Sequence, residues 1–375
     1  MTGCGGQKKY PPLDPMQAAE LHAWLDSNGM SPVEYVLNKF NNHDIVILGE
    51  PHRFRDHPLL VQQLIPHLPE HGVHVLATEF ARSVDQQLID SLLNDSVWDE
   101  KLAREIKLRQ YSLWPWREYL DIFKVAWQYN QTVESNQSPF RIIGVNCDPD
   151  WSVVQTRDDL NNPAKRRAAW KGCSEADWAA IVLNEINAGE KVLAFCGMHH
   201  AFSGYRQPRV DENGEFRGWG DIRFGNHLRD SLGEQVFTIA LHQPWYEKTS
   251  QYGRWTLRPV DGAIDEVMES RSASSSQVGF DVAGTPFGEL TDNSTIYAVG
   301  YDHFILSTCC DGYIYFGPFS ESQLVTFIDG FYNESNIDVA RVSVPQAQYR
   351  HESPEYFEKR MKRQLEREQT RLGEL

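Results

Sequence analysis

Uninterrupted aliphatic runs recur along the chain, each followed by a segment whose apolar residues fall three or four apart. A strand covered on both faces reads as a continuous β-branched and aliphatic run, whereas a helix with one buried stripe repeats about every 3.6 residues. The first run, 44–49, ends at Gly49; the segment 58–68 spaces Leu60, Leu64 and Leu68 four apart; a second run, 73–78, ends at Glu79. Together they read as a β-α-β unit. The same pattern predicts strands at 141–146, 191–197, 236–241 and 312–316, and helices at 15–28, 174–189 and 221–232. From 83 to 131 the pattern is helical almost throughout, broken at Trp114-Pro115-Trp116, where proline interrupts. Strands alternating with helices predict an α/β fold with a mostly parallel central sheet flanked by helices and a helical insertion after the second strand.

The expected organisation is a flexible N-terminus over 1–15, a single α/β domain over 16–335 with the insertion at 83–131, and a charged C-terminal helix over 353–375. In that helix Phe357, Met361 and Leu365 stand among many charges, which predicts a solvated face. The serine-rich segment 270–277 reads as an exposed loop.

Charge narrows the partners. With 36 Lys and Arg against 52 Asp and Glu the formal net charge is −16, which repels phosphate backbones, and no basic stripe offsets it, so nucleic acid is not expected. No apolar run reaches the roughly 18 residues that cross a bilayer, so no transmembrane segment is expected. The six cysteines, at 4, 147, 173, 196, 309 and 310, show neither disulfide-scaffold density nor structural-zinc spacing, and read as free thiols. The chain as written implies a cytoplasmic protein. If a start lay upstream, Thr2-Gly3-Cys4-Gly5-Gly6 would read as a lipoprotein cleavage site with Cys4 as the lipid anchor.

In an open parallel sheet functional groups gather beyond the carboxyl ends of the strands. Here those ends carry Gly49-Glu50-Pro51-His52, Glu79, Asp148, Gly197-Met198-His199-His200 and His242. Two Gly-x-x-His stretches, each after an apolar strand, place imidazoles where a glycine turn folds them back over the sheet. In an extended backbone His199 and His200 point apart, and the spacing favours His200 as the functional member. Two imidazoles and a carboxylate support two hydrolytic routes. His52, Glu79 and His200 would hold a divalent metal that acidifies a water; alternatively an imidazole takes the proton from water directly, oriented by Glu50 or Glu79, with the second histidine stabilising the oxyanion. Gly-x-Ser-x-Gly, the P-loop and His-Glu-x-x-His are absent from the sequence, which disfavours covalent serine chemistry and nucleotide cofactors. Trp114 is a candidate wall for an organic small-molecule substrate, and His57, near Arg53 and Arg55, a candidate for an acidic substrate group.

Ile47-Leu48-Gly49-Glu50-Pro51-His52 followed by His57 and Gln62, then Ala77-Thr78-Glu79-Phe80, then Phe195-Cys196-Gly197-Met198-His199-His200-Ala201, resembles the erythromycin esterase-like and ChaN-like superfamily, which also groups with the Tiki and TraB proteins. The similarity extends over about residues 40–320, through Trp114, Trp127-Gln128-Tyr129-Asn130, Ile143-Gly144 up to Asp148, and Asp311 to Phe316. The resemblance implies a catalytic cluster of Glu50, His52, Glu79 and His200 or His199; His57, Trp114, Asp148 and His199 are the candidates for the substrate side. In the esterase branch it implies water attack on a cyclic ester; in the Tiki-like branch, metal-dependent peptide hydrolysis; in the ChaN-like branch, haem binding by a lipoprotein without catalysis. Pro51 within the motif and the doubled histidine depart from the esterase pattern, and little in the sequence marks a macrolide pocket.

Overall fold

The computed structural model describes residues 10–110, 114–134, 136–249, 255–271 and 277–375. Cys4 and most of the serine-rich segment, 272–276, lie outside the described residues. Among the described residues seven strands form a mostly parallel central sheet flanked by helices. They are β1 (Ile45–Glu50), β2 (Val73–Arg82), β3 (Arg141–Asn146), β4 (Lys191–Gly197), β5 (Val236–Leu241), β6 (Val278–Asp281) and β7 (Gly312–Tyr315). The α/β architecture and the places of its parallel strands along the chain agree with the hydrophobic pattern. Among the described residues no helix is long and apolar enough to cross a membrane.

The chain divides into two compact units. The first comprises Met1–Asp56, Gly197–Gln323 and Glu368–Leu375. Its strands run in the order β6-β7-β5-β1, with β1 parallel to β5 so that Ile45 faces Val236 and Gly49 faces Ala240. Every residue of β1 is buried, which is why its sequence shows no alternation. β6 is antiparallel to β7 and was not expected; Val278-Gly279-Phe280-Asp281 is too short and too broken by glycine to carry a pattern.

The second unit comprises His57–Cys196 and Leu324–Arg367, with strands in the order β4-β2-β3, all parallel. The expected helical insertion is present as Gln86–Asn94, Glu100–Leu108 and Arg117–Asn130, with Trp114-Pro115-Trp116 before the third. Helix Glu175–Asn187 starts at Ser174, whose hydroxyl accepts from the Asp177 N–H while Asp177 returns a bond to the Ser174 N–H, satisfying two donors that the helix end leaves open. β3 lies at the outer edge of the sheet. There the Gln86 amide donates to the Ile142 carbonyl at 2.9 Å and accepts from the Gly144 N–H at 3.0 Å, the pair of bonds a neighbouring strand would make.

Three expectations are corrected. β2 does not stop at Glu79 but runs three residues on to Arg82, because Phe80 and Ala81 are also buried and continue the apolar run. Cys147 and Cys173 are not free thiols: they form a disulfide, while Cys196, Cys309 and Cys310 are buried and outside any disulfide. The C-terminal helix, Pro354–Leu372, is not merely solvated, since Phe357, Met361 and Leu372 are buried and the Phe357 ring lies 5.4 Å from that of Tyr332.

Candidate functional site

Glu50 is the last residue of β1 and its side chain is fully buried. His52, two residues on, is 31% exposed at its side chain and places Nδ1 2.8 Å from Glu50 Oε1. An extended backbone would hold residues i and i+2 nearly 7 Å apart, so the chain must curl to close this contact. The curl is not made by glycine. His52 itself has φ of 68°, and Arg53 after it has φ of 66°, a left-handed conformation that costs a residue with a Cβ roughly 1–2 kcal/mol.

Gly49 serves a different purpose from the expected turn. A Cβ there would lie 2.4 Å from Met198 Sδ and 2.9 Å from Ala201 Cβ, so glycine is what lets the one-turn helix Met198–Ala201 press onto the end of β1. That helix carries His199 and His200 directly after β4. Because it is helical rather than extended, successive side chains diverge by about 100° rather than 180°, and both histidines are partly exposed. His199 Nε2 is 3.0 Å from the Tyr297 hydroxyl, and its ring lies 5.6 Å from Tyr246 and 5.8 Å, stacked, from Phe202. Behind this wall the Tyr205 hydroxyl donates to the Tyr297 carbonyl at 2.8 Å. Burial pushes the Tyr205 phenol well above its usual range and that of Tyr301 up to about 12, so both remain protonated donors at neutral pH.

His242, at the end of β5, is only 2% exposed. Its Nδ1 meets the Tyr313 hydroxyl at 2.7 Å, Nε2 lies 3.5 Å from Asp265, and the ring stacks on Phe319 at 4.2 Å. This third strand-end histidine is thus packed into the core of the first unit.

The remaining sequence-derived candidates belong to the second unit. Glu79 lies within β2, 7% exposed, and its carbonyl accepts from Asn146 Nδ2 at 2.8 Å. His57 is buried in the first turn of helix Asp56–Leu64. Trp114 stacks on Phe80 at 5.1 Å and meets Tyr119 edge-on, so it is part of an aromatic core that includes Phe195. Asp148 is half exposed and forms an ion pair with Arg82, which is also held by Asp85. Among the described residues no three His, Cys, Asp or Glu side chains form a group able to hold a metal ion.

Sequence reasoning missed Tyr297 and Tyr246. Both lie in segments without periodicity, and only their contacts with His199 reveal them.

Residues 36–170 match the family model described as "Haem-binding uptake, Tiki superfamily, ChaN", the superfamily that the strand-end motifs resemble. No curated protein matches the chain. Among solved structures, a succinoglycan biosynthesis protein is similar at 12% identity and a TM-score of 0.52, over 84% of this chain and 100% of that one. A mutant of the erythromycin esterase EreC in its open conformation is similar at 12% identity and a TM-score of 0.49, over 75% and 92%. ChaN of Campylobacter jejuni, whose structure is described as binding haem cofacially, is similar at 15% identity and a TM-score of 0.32, over 58% and 88%. The first of these likenesses supports the fold; the other two are too distant to add to it.

Proposed function

We propose that the protein is a hydrolase of the erythromycin esterase-like kind, in which His52 acts as general base toward a water that attacks an ester or amide carbonyl. The observation that carries this reading is the Glu50–His52 contact at 2.8 Å, made by a fully buried carboxylate and a partly exposed imidazole. Glu50 holds the proton on Nδ1, the tautomer in which Nε2 is the proton acceptor. As the water oxygen bonds to the carbonyl carbon, its proton passes to Nε2, and the leaving alkoxide or amine takes that proton back as the acyl bond breaks. In this reading His200 joins Glu50 and His52 in the catalytic set, and His199 and its aromatic neighbours line the substrate side.

Ester hydrolysis by the purified protein, tested on a panel of acyl and cyclic esters, should fall about 10²–10⁴-fold in His52→Asn and Glu50→Gln, the range that a positioned general base contributes. Activity unchanged in both variants would refute the assignment.

A second reading is haem carriage without catalysis, supported by the description of the matching family model and by the aromatic residues around His199. His199 and Tyr297 would then face the ligand. Haem added to the protein should show a shifted absorption band that His52→Ala or His199→Ala removes, with no hydrolysis across the ester panel.

A further inference from the structure

We propose that Glu368, near the end of the C-terminal helix, is a positioning residue for His52, and that its fork with Arg53 holds the turn that brings the imidazole to Glu50. The inference deepens the hydrolase reading and rests on it, because it concerns the same His52–Glu50 pair.

His52 meets Glu50 from a turn in which His52 and then Arg53 both adopt positive φ. Neither is glycine or asparagine, the residues that accept this conformation readily, so the turn is stored strain that its surroundings must hold. Two anchors lie immediately downstream and across from it within the first unit. The Arg55 N–H donates to the Gln323 carbonyl at 2.9 Å and its guanidinium to Gln323 Oε1 at 2.9 Å, fixing the chain after the turn. The turn itself is held through Arg53, whose Nε and Nη2 donate to the two carboxylate oxygens of Glu368 at 2.7 Å each.

This is a planar two-point fork rather than a point contact, which fixes the direction of the Arg53 side chain as well as its distance. The two side chains are 17% and 10% exposed, so solvent screens the pair less than it does a surface ion pair. The fork therefore acts on one of the two residues that carry the strain, next in sequence to the imidazole. In the sequence Glu368 is one charge among many on a mixed-charge helix, and nothing there marks it off.

A fork that merely docks the helix end predicts something different from one that holds strain, and glycine separates the two. Protein labelled with ¹⁵N-histidine should show a downfield Nδ1–H proton for His52, as expected for an imidazole donating to a carboxylate, assigned by its loss in His52→Asn. Glu368→Gln and Arg53→Ala should lose that signal, with the fold checked by circular dichroism. Arg53→Gly should keep it, because glycine occupies the left-handed turn without strain and needs no tether. The Arg53→Ala and Arg53→Gly pair decides the matter even if Glu368→Gln fails to fold. A His52 signal unchanged in Glu368→Gln and Arg53→Ala, or lost equally in Arg53→Ala and Arg53→Gly, overturns the inference while leaving the hydrolase reading intact. A wild-type protein without the signal overturns both.

Discussion

The Cys147–Cys173 disulfide offers a prediction whose size follows from chain length alone. The two residues are separated by 26 positions, with Cα atoms 5.7 Å apart, and the loop they close carries its own small cluster of Trp151, Val154 and Ala169. Cross-linking a loop of this length removes denatured-state entropy worth about 3.5 kcal/mol at 25 °C. The substitution to make is Cys173→Ser, because Cys147 is buried and accepts the Trp178 indole N–H at 3.3 Å, a contact the remaining thiol can keep. For a cooperative unit of this size each kcal/mol shifts the melting temperature by about 2–4 °C, so the second unit should melt about 10 °C lower. Thermal unfolding followed by circular dichroism, with and without dithiothreitol, gives an internal control. Reductant should bring the wild-type curve onto that of Cys173→Ser and leave the variant unmoved. Coincident melting of wild type and variant in the absence of reductant would refute the reasoning.

Two further outcomes follow from the packing. Burial pushes the Lys107 ammonium well below its usual pKa, although Nζ donates to the Phe80 carbonyl at 2.9 Å and lies 4.3 Å over the Phe123 ring. The folded protein then releases this proton at lower pH than the unfolded chain does. Unfolding takes up a proton between the folded value and about 10.4, and stability rises with pH across that window; Lys107→Met should remove the rise in urea midpoints measured through it. Gly49→Ala should destabilise the first unit by about 1–3 kcal/mol through overpacking, because the new methyl would lie 2.9 Å from Ala201 Cβ, which has no rotamer with which to yield. A denaturation midpoint equal to wild type would contradict the close approach.

The parallel strands were legible because a strand buried on both faces leaves a continuous aliphatic record, and β1, β4 and β5 do so. The ends of those strands led to Glu50, His52, His199 and His200 on the same grounds. What the pattern could not supply was conformation and long-range pairing. Nothing in Pro51-His52-Arg53 announces left-handed backbone, since the usual markers, glycine and asparagine, are missing. The pairing of Cys147 with Cys173 left no spacing signature, and Tyr297 lies 98 positions from the imidazole it meets. His242 shows the converse: its place after a strand matched the others, yet Tyr313, Asp265 and Phe319 enclose it, and only side-chain packing distinguishes the two situations.

The amide of Gln86 occupies the bonding positions that another molecule's backbone would need in order to zip onto Arg141–Asn146. A chain lacking that amide would present a carbonyl and an N–H in ready-made register. Its first failing would then be sociability: a tendency of concentrated copies to join margin to margin, while each separate copy kept its fold.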